Sequence, residues 1–132
     1  MALTGDLGSG KTVLVQGIAA GLEAGDVASP SFVIVNEYRG RIPIYHVDLY
    51  RIADTGALED IGYRELFYGD GAALVEWADR APEVLPADRV NVTLGFTFGK
   101  PSCRLIAVWA TGPIHEAALR SASFWGPASG GG

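Results

Sequence analysis

Gly5-Asp6-Leu7-Gly8-Ser9-Gly10-Lys11-Thr12 is the stretch from which the rest of the chain can be read. Its spacing is Gly-x-x-x-x-Gly-Lys-Thr. Glycines let a backbone curl until successive N–H groups point at one centre, and a helix opening just behind them adds the positive end of its dipole. Such a concavity suits an anion, and the side chains suit phosphate. Gly8, Ser9 and Gly10 would offer their amides, and Lys11 a mobile cation for β and γ phosphates. The Thr12 hydroxyl would serve a Mg2+ that bridges them. A Gly-rich turn could carry Lys-Thr by accident. Here, however, Val13, Leu14, Ile18, Ala19 and Leu22 follow with helical spacing, and Gly25 is placed to end the helix as a C-terminal cap. The expected ligand is ATP with Mg2+.

Further along, Ala28-Ser29-Pro30-Ser31 is a turn-like linker. Two β-rich runs, Phe32 to Tyr38 and Ile42 to Tyr50, flank the break Arg39-Gly40-Arg41 and predict an antiparallel hairpin. Leu58, Ile61, Leu66 and Phe67 suit a helix interrupted at Gly62, and Gly69-Asp70-Gly71 resets the chain. Ala72 to Trp77 is a short apolar run of the kind covered on both faces of a sheet. Val90, Val92, Leu94, Phe96 and Phe98 alternate strictly, and Cys103 to Trp109 follows Gly99-Lys100-Pro101 as the return strand of a second hairpin. His115 to Ser123 predicts a last helix, and the Gly-rich end a flexible one. The fold expected is α/β, a three-layer P-loop NTPase-like sheet with helices that contains β-hairpins. It divides into one domain over 1–114 and a partly flexible extension over 115–132. Only Met1 to Thr4 precede the loop, whereas a P-loop hangs from a buried strand of about five or six residues. The N-terminal strand is therefore expected to be incomplete.

With 132 residues, 48% of them hydrophobic and 19% charged, the chain has the composition of one folded domain. The net charge of −5, with ten dispersed Lys and Arg, argues against unaided gripping of a nucleic-acid backbone. No stacking-aromatic RNA motif is recognisable, the aromatic residues being expected mainly at core-facing strand positions or beside the site. Cys103 stands alone in an apolar stretch, where a small buried side chain is the expectation. No run approaches the roughly 18 apolar residues of a membrane span, and the chain reads as cytoplasmic.

A nucleotide-hydrolysing site also needs carboxylates. Glu76 ends the apolar run Ala72-Ala73-Leu74-Val75, the Walker-B arrangement with Glu in place of Asp, and is the second metal-holding candidate after Thr12. Asp48 is a further catalytic candidate, since period-two alternation puts His46, Asp48 and Tyr50 on one face and Tyr45, Val47 and Leu49 on the other. A solvent-exposed hairpin face would produce the same polar stripe.

The run from Gly5 through Gln16, Ser29-Pro30-Ser31-Phe32, His46-Val47-Asp48-Leu49-Tyr50-Arg51 and Leu74-Val75-Glu76-Trp77 together resemble, in order and spacing, the TsaE (YjeE) family of bacterial tRNA-modification ATPases. The resemblance extends to about Leu85. It implies an ATPase in threonylcarbamoyladenosine modification of tRNA, weak alone, whose hydrolysis resets the TsaB–TsaD pair between turnovers. It also implies that Thr12 and Glu76 serve Mg2+, that Ser31 lies in a switch-like loop with its hydroxyl in place of the family's usual Thr, and that Asp48 and Trp77 are needed for activity. Trp77 and Phe32 are candidates for a surface that reports nucleotide state to a protein neighbour, with core packing the alternative role for either alone. Two other functions share the motif: a small-molecule kinase, which usually carries an Arg-rich lid not visible here, and an ATP-dependent binding switch that hydrolyses almost nothing.

Overall fold

The computed structural model describes residues 1–6, 8–24, 35–50, 56–60 and 62–122. The expected Gly25 cap, Ser31, Phe32 and Arg51 lie outside these residues. Strands β1 (Ala2–Gly5), β2 (Val35–Arg39), β3 (Pro43–Asp48), β4 (Ala72–Glu76), β5 (Val90–Thr97) and β6 (Lys100–Ala110) form one sheet in the order β2-β3-β4-β1-β5-β6. The inner strands β3, β4, β1 and β5 run parallel, and antiparallel hairpin partners close both edges. Both expected hairpins are present. β1 spans four residues; Ala2 and Leu3 pair with β4, and all four pair with β5.

Helix α1 (Lys11–Gly21) covers one face of the sheet, burying Lys11, Val15 and Ala19 at successive fourth positions. Together with Leu3, Ile44, Leu74, Val92 and Leu94 it builds one core. The opposite face is covered by the short helices α2 (Gly56–Asp60) and α3 (Tyr63–Tyr68) and by two 3₁₀ turns (Ala78–Arg80 and Pro82–Val84). Leu58, Tyr63, Ala78, Ala81 and Val84 pack there on Ala2, Val47, Leu49 and Val75. These are the three expected layers. The break between α2 and α3 falls at Gly62, whose φ of 70° is left-handed, as the interrupted pattern predicts.

Helix α1 stops at Gly21, ahead of the expected cap. The amides of Glu23 and Ala24 bond back to the carbonyls of Ala20 and Ala19, a Schellman ending with Glu23 at φ 62° in the place usually taken by glycine. The last helix, α4 (Pro113–Ser121), is anchored from outside its own sequence. Asp88 accepts hydrogen bonds from the amides of Ile114 (2.9 Å) and His115 (3.1 Å) and pairs with His115 Nδ1 (2.7 Å).

Four apolar expectations fail along the β5–β6 hairpin. Val90, Val92 and Leu94 are buried, but Phe96 is 51% exposed and Phe98 wholly exposed. β1 ends opposite Leu94, so the hairpin tip runs past its parallel neighbour. Trp109 is also nearly half exposed, contrary to the core-facing placing of the aromatics, and Cys103 is exposed. Both lie on β6, the edge strand, where Leu105 and Ile106 are exposed as well.

Candidate functional site

The loop between β1 and α1 takes the shape its glycines permit. Gly8 and Gly10 have φ of 79° and 106°, in the left-handed region closed to most side chains. At Gly5 (φ 151°) a Cβ would lie 2.6 Å from the Leu94 carbonyl oxygen and 2.7 Å from Ser9 Oγ, so the position is closed on two counts. Ser9 is buried, and its hydroxyl has no hydrogen-bond partner among the described residues. A buried unpaired hydroxyl is costly and suits a site that receives a polar ligand.

Lys11 is buried rather than solvent-facing, with 5% of its surface exposed. Its Nζ donates to the carbonyls of Gly5 (2.5 Å) and Asp6 (3.0 Å) and lies 4.1 Å from the centre of the Trp77 ring. Trp77 follows Glu76 at the end of β4 with φ of 56°, an outlier for so large a residue. That backbone turn brings its ring over Lys11 and within 4.8 Å of Tyr50. The ammonium is thereby held at the loop by two neutral oxygens and a ring face, partners that an anionic oxygen can outcompete.

Thr12, on the first turn of α1, donates from Oγ1 to Glu76 Oε1 at 3.4 Å across 64 positions of sequence. That is long for an O–H···O bond, so both oxygens can turn to a third partner. Glu76 is itself buried. Asp48 sits beside it in the parallel β3–β4 register, on the same face of the sheet. The Asp48 carboxylate accepts from the Tyr50 amide at 2.9 Å, fixing the chain as it leaves β3. The face carrying His46 and Asp48 turns inward to α1, with His46 fully buried, which removes the solvent-face alternative. Tyr50 lies beyond the strand and is exposed.

The loop, Lys11, Thr12, Glu76 and Asp48 are therefore brought to one end of the parallel strands. Their chemistry fits a polyphosphate with a divalent cation. No group of three or more His, Cys, Asp or Glu side chains able to hold a metal occurs among the described residues. Mg2+ is commonly held by few protein oxygens together with the phosphates of its nucleotide, and Thr12 and Glu76 are the protein oxygens that would serve it here. Two features went unassigned in the sequence. His46 Nε2 hydrogen-bonds Glu76 Oε2, and Arg104, stacked on Phe96 at 4.5 Å, reaches the Gly8 carbonyl at 3.5 Å. The alternation that singled out Asp48 also placed His46 on that face. Arg104 depends on a contact 96 positions away, for which the sequence carries no local signal.

The chain is similar to known proteins over most of its length. The family model of threonylcarbamoyl adenosine biosynthesis protein TsaE matches residues 1–100. The tRNA threonylcarbamoyladenosine biosynthesis protein TsaE of Bacillus subtilis is 44% identical over 96 residues, covering 71% of this chain and 60% of the relative. That of Haemophilus influenzae is 40% identical over 108 residues, covering 80% and 68%. The chain thus spans about two thirds of the length of these relatives. The crystal structure of YdiB from Bacillus subtilis superposes with a TM-score of 0.73 at 35% identity, covering 90% of this chain and 72% of that one. On the family match and on this likeness in sequence and structure, the chain belongs to the TsaE family of threonylcarbamoyl adenosine biosynthesis proteins.

Proposed function

We propose that this chain binds MgATP at the Gly5–Thr12 loop and hydrolyses it as the ATPase component of tRNA threonylcarbamoyladenosine modification. The observation that carries the reading is the meeting of Thr12 and Glu76 beside Lys11, from two elements 64 positions apart. Bound Mg2+ would supply charge neutralisation at the β and γ phosphates. The chain's own residues do the rest. Gly8, Ser9 and Gly10 line the phosphates, and Lys11 exchanges the Gly5 and Asp6 carbonyls for phosphate oxygens. Thr12 and Glu76 hold the cation's side of the site, and Asp48, beside Glu76, orients the attacking water.

The partners in this proposal are the TsaB–TsaD pair, with the chain acting in the cytoplasm and hydrolysis resetting the assembly between turnovers. Support comes from the family and from the net charge of −5, which leaves no surplus for tRNA phosphates. The test measures phosphate release and tRNA modification with this chain alone, with TsaB–TsaD alone and with all three. The expected result is slow release alone, faster release in the complex, and many modification cycles only when all three are present. Phosphoryl transfer to a small acceptor would make the chain a kinase, and MgATP binding without release in any mixture would make it a switch.

A further inference from the structure

His46 has no part in the nucleotide reading so far. Its ring is entirely buried on β3, one alternation before Asp48 and in register with Leu74. Ile44, two residues earlier on the same face, belongs to the apolar core under α1. An aliphatic side chain would pack there without the desolvation cost of an imidazole, so the histidine is explained by the bond it makes. That bond runs from Nε2 to Glu76 Oε2. A carboxylate only accepts, so Nε2 carries the proton. Nδ1 is buried with no hydrogen-bond partner among the described residues.

The two oxygens of Glu76 are thus distinguished. Oε2 is tied to β3, and Oε1 faces the Thr12 hydroxyl. A glutamate at the end of a strand has three side-chain torsions, and one firm hydrogen bond removes most of the freedom of its carboxylate plane. We propose that His46 is the positioning residue for Glu76, a donor that locks the carboxylate with Oε1 toward Thr12 in the orientation that receives the divalent cation of a bound nucleotide. The inference rests on the nucleotide reading and adds a determinant of its metal affinity. Hydrogen-bond partners behind a metal-facing carboxylate typically contribute about 10- to 100-fold in metal affinity or activity.

The experiment uses Mn2+ as probe. Free Mn2+ is titrated by electron paramagnetic resonance against the chain with ADP, and ADP affinity is measured separately in excess chelator. His46→Leu keeps the bulk and removes the donor. It is expected to weaken Mn2+ binding to the ADP complex by about 10- to 100-fold and to leave metal-free ADP affinity within about twofold. His46→Gln returns an N–H close to the place of Nε2 and is expected to recover most of the loss. Mn2+ affinity of His46→Leu within twofold of wild type overturns the proposal, and so does a parallel fall in metal-free ADP affinity, which marks a purely structural histidine. Should the leucine variant fail to fold, 15N-labelled histidine in the otherwise native chain still decides. The His46 Nε2–H resonance is expected to shift on Glu76→Ala, and an unchanged resonance overturns the proposal. A wild-type chain that binds ADP neither with metal nor without it refutes instead the nucleotide reading beneath.

Discussion

Lys11 shows how much one residue can hold. Its ammonium joins the Gly5 and Asp6 carbonyls to the Trp77 ring, so Lys11→Ala removes a structural tie as well as the cation proposed to face phosphate. The variant is expected to lose about 1–2 kcal/mol of stability, read from urea unfolding, because two carbonyls lose a charged donor. It is also expected to lose most MgATP affinity by calorimetry; equal affinity for both proteins would refute the phosphate role. Asp48 allows a finer separation. Asp48→Asn keeps a side-chain oxygen for the Tyr50 amide while discarding the carboxylate charge. Turnover is expected to fall at least about tenfold with ATP affinity nearly unchanged, the signature of a group acting on water or metal rather than on phosphate. A parallel loss of both would leave Asp48 as a turn-fixing residue only.

At the scale of elements, α4 is a helix whose N-terminus is capped from a distance. Gly112, at its N-cap, has no side chain to offer, and a Cβ there would run into the Asp88 carboxyl group. Desolvation raises the Asp88 carboxyl, but the hydrogen bond from His115, the amides of Ile114 and His115, and the His115 charge together hold it below its ordinary value. A carboxyl with a depressed folded pKa contributes stability that is complete above its unfolded value, about 3.9, and lost as pH falls through the folded one. Amide exchange over 114–121 is therefore expected to be slow at neutral pH and to lose protection, relative to the sheet, on acidification below the carboxylate range. Asp88→Ala should show the same loss at neutral pH. Protection in that variant equal to wild type would mean that α4 is held by Leu119 and its apolar contacts instead.

For the whole molecule, a ligand that binds only the folded state raises stability by an amount set by its concentration over Kd, about 2.7 kcal/mol at a hundredfold excess. MgATP is expected to raise the melting temperature of the wild type and not that of Lys11→Ala; no shift in the wild type would contradict the nucleotide reading. Free tRNA is expected to leave the melting temperature unchanged and to bind weakly or not at all, since the net charge is −5. Gel-shift or fluorescence titration at low salt, the condition most favourable to binding, is the check. Tight binding there would defeat the expectation that partners carry the RNA.

The loop, the helix behind it, the two hairpins and the break at Gly62 were legible in the sequence, and so were Thr12, Glu76 and Asp48 as candidates that the fold brings together, because each is a local matter. Glycine's torsional freedom, the 3.6 and 2.0 periodicities and the residue types of phosphate sites all act within about ten positions. The buried setting of Lys11, the His46–Glu76 bond, the Asp88 clamp on α4 and the exposure of Phe98 and Cys103 were not legible. Each depends on register between segments far apart in the chain, or on where one strand stops beside another. Alternation could say that His46 and Asp48 share a face. Only the pairing of β3 with β4, and the covering of that face by α1, decided that it is an interior one with a carboxylate waiting on the next strand.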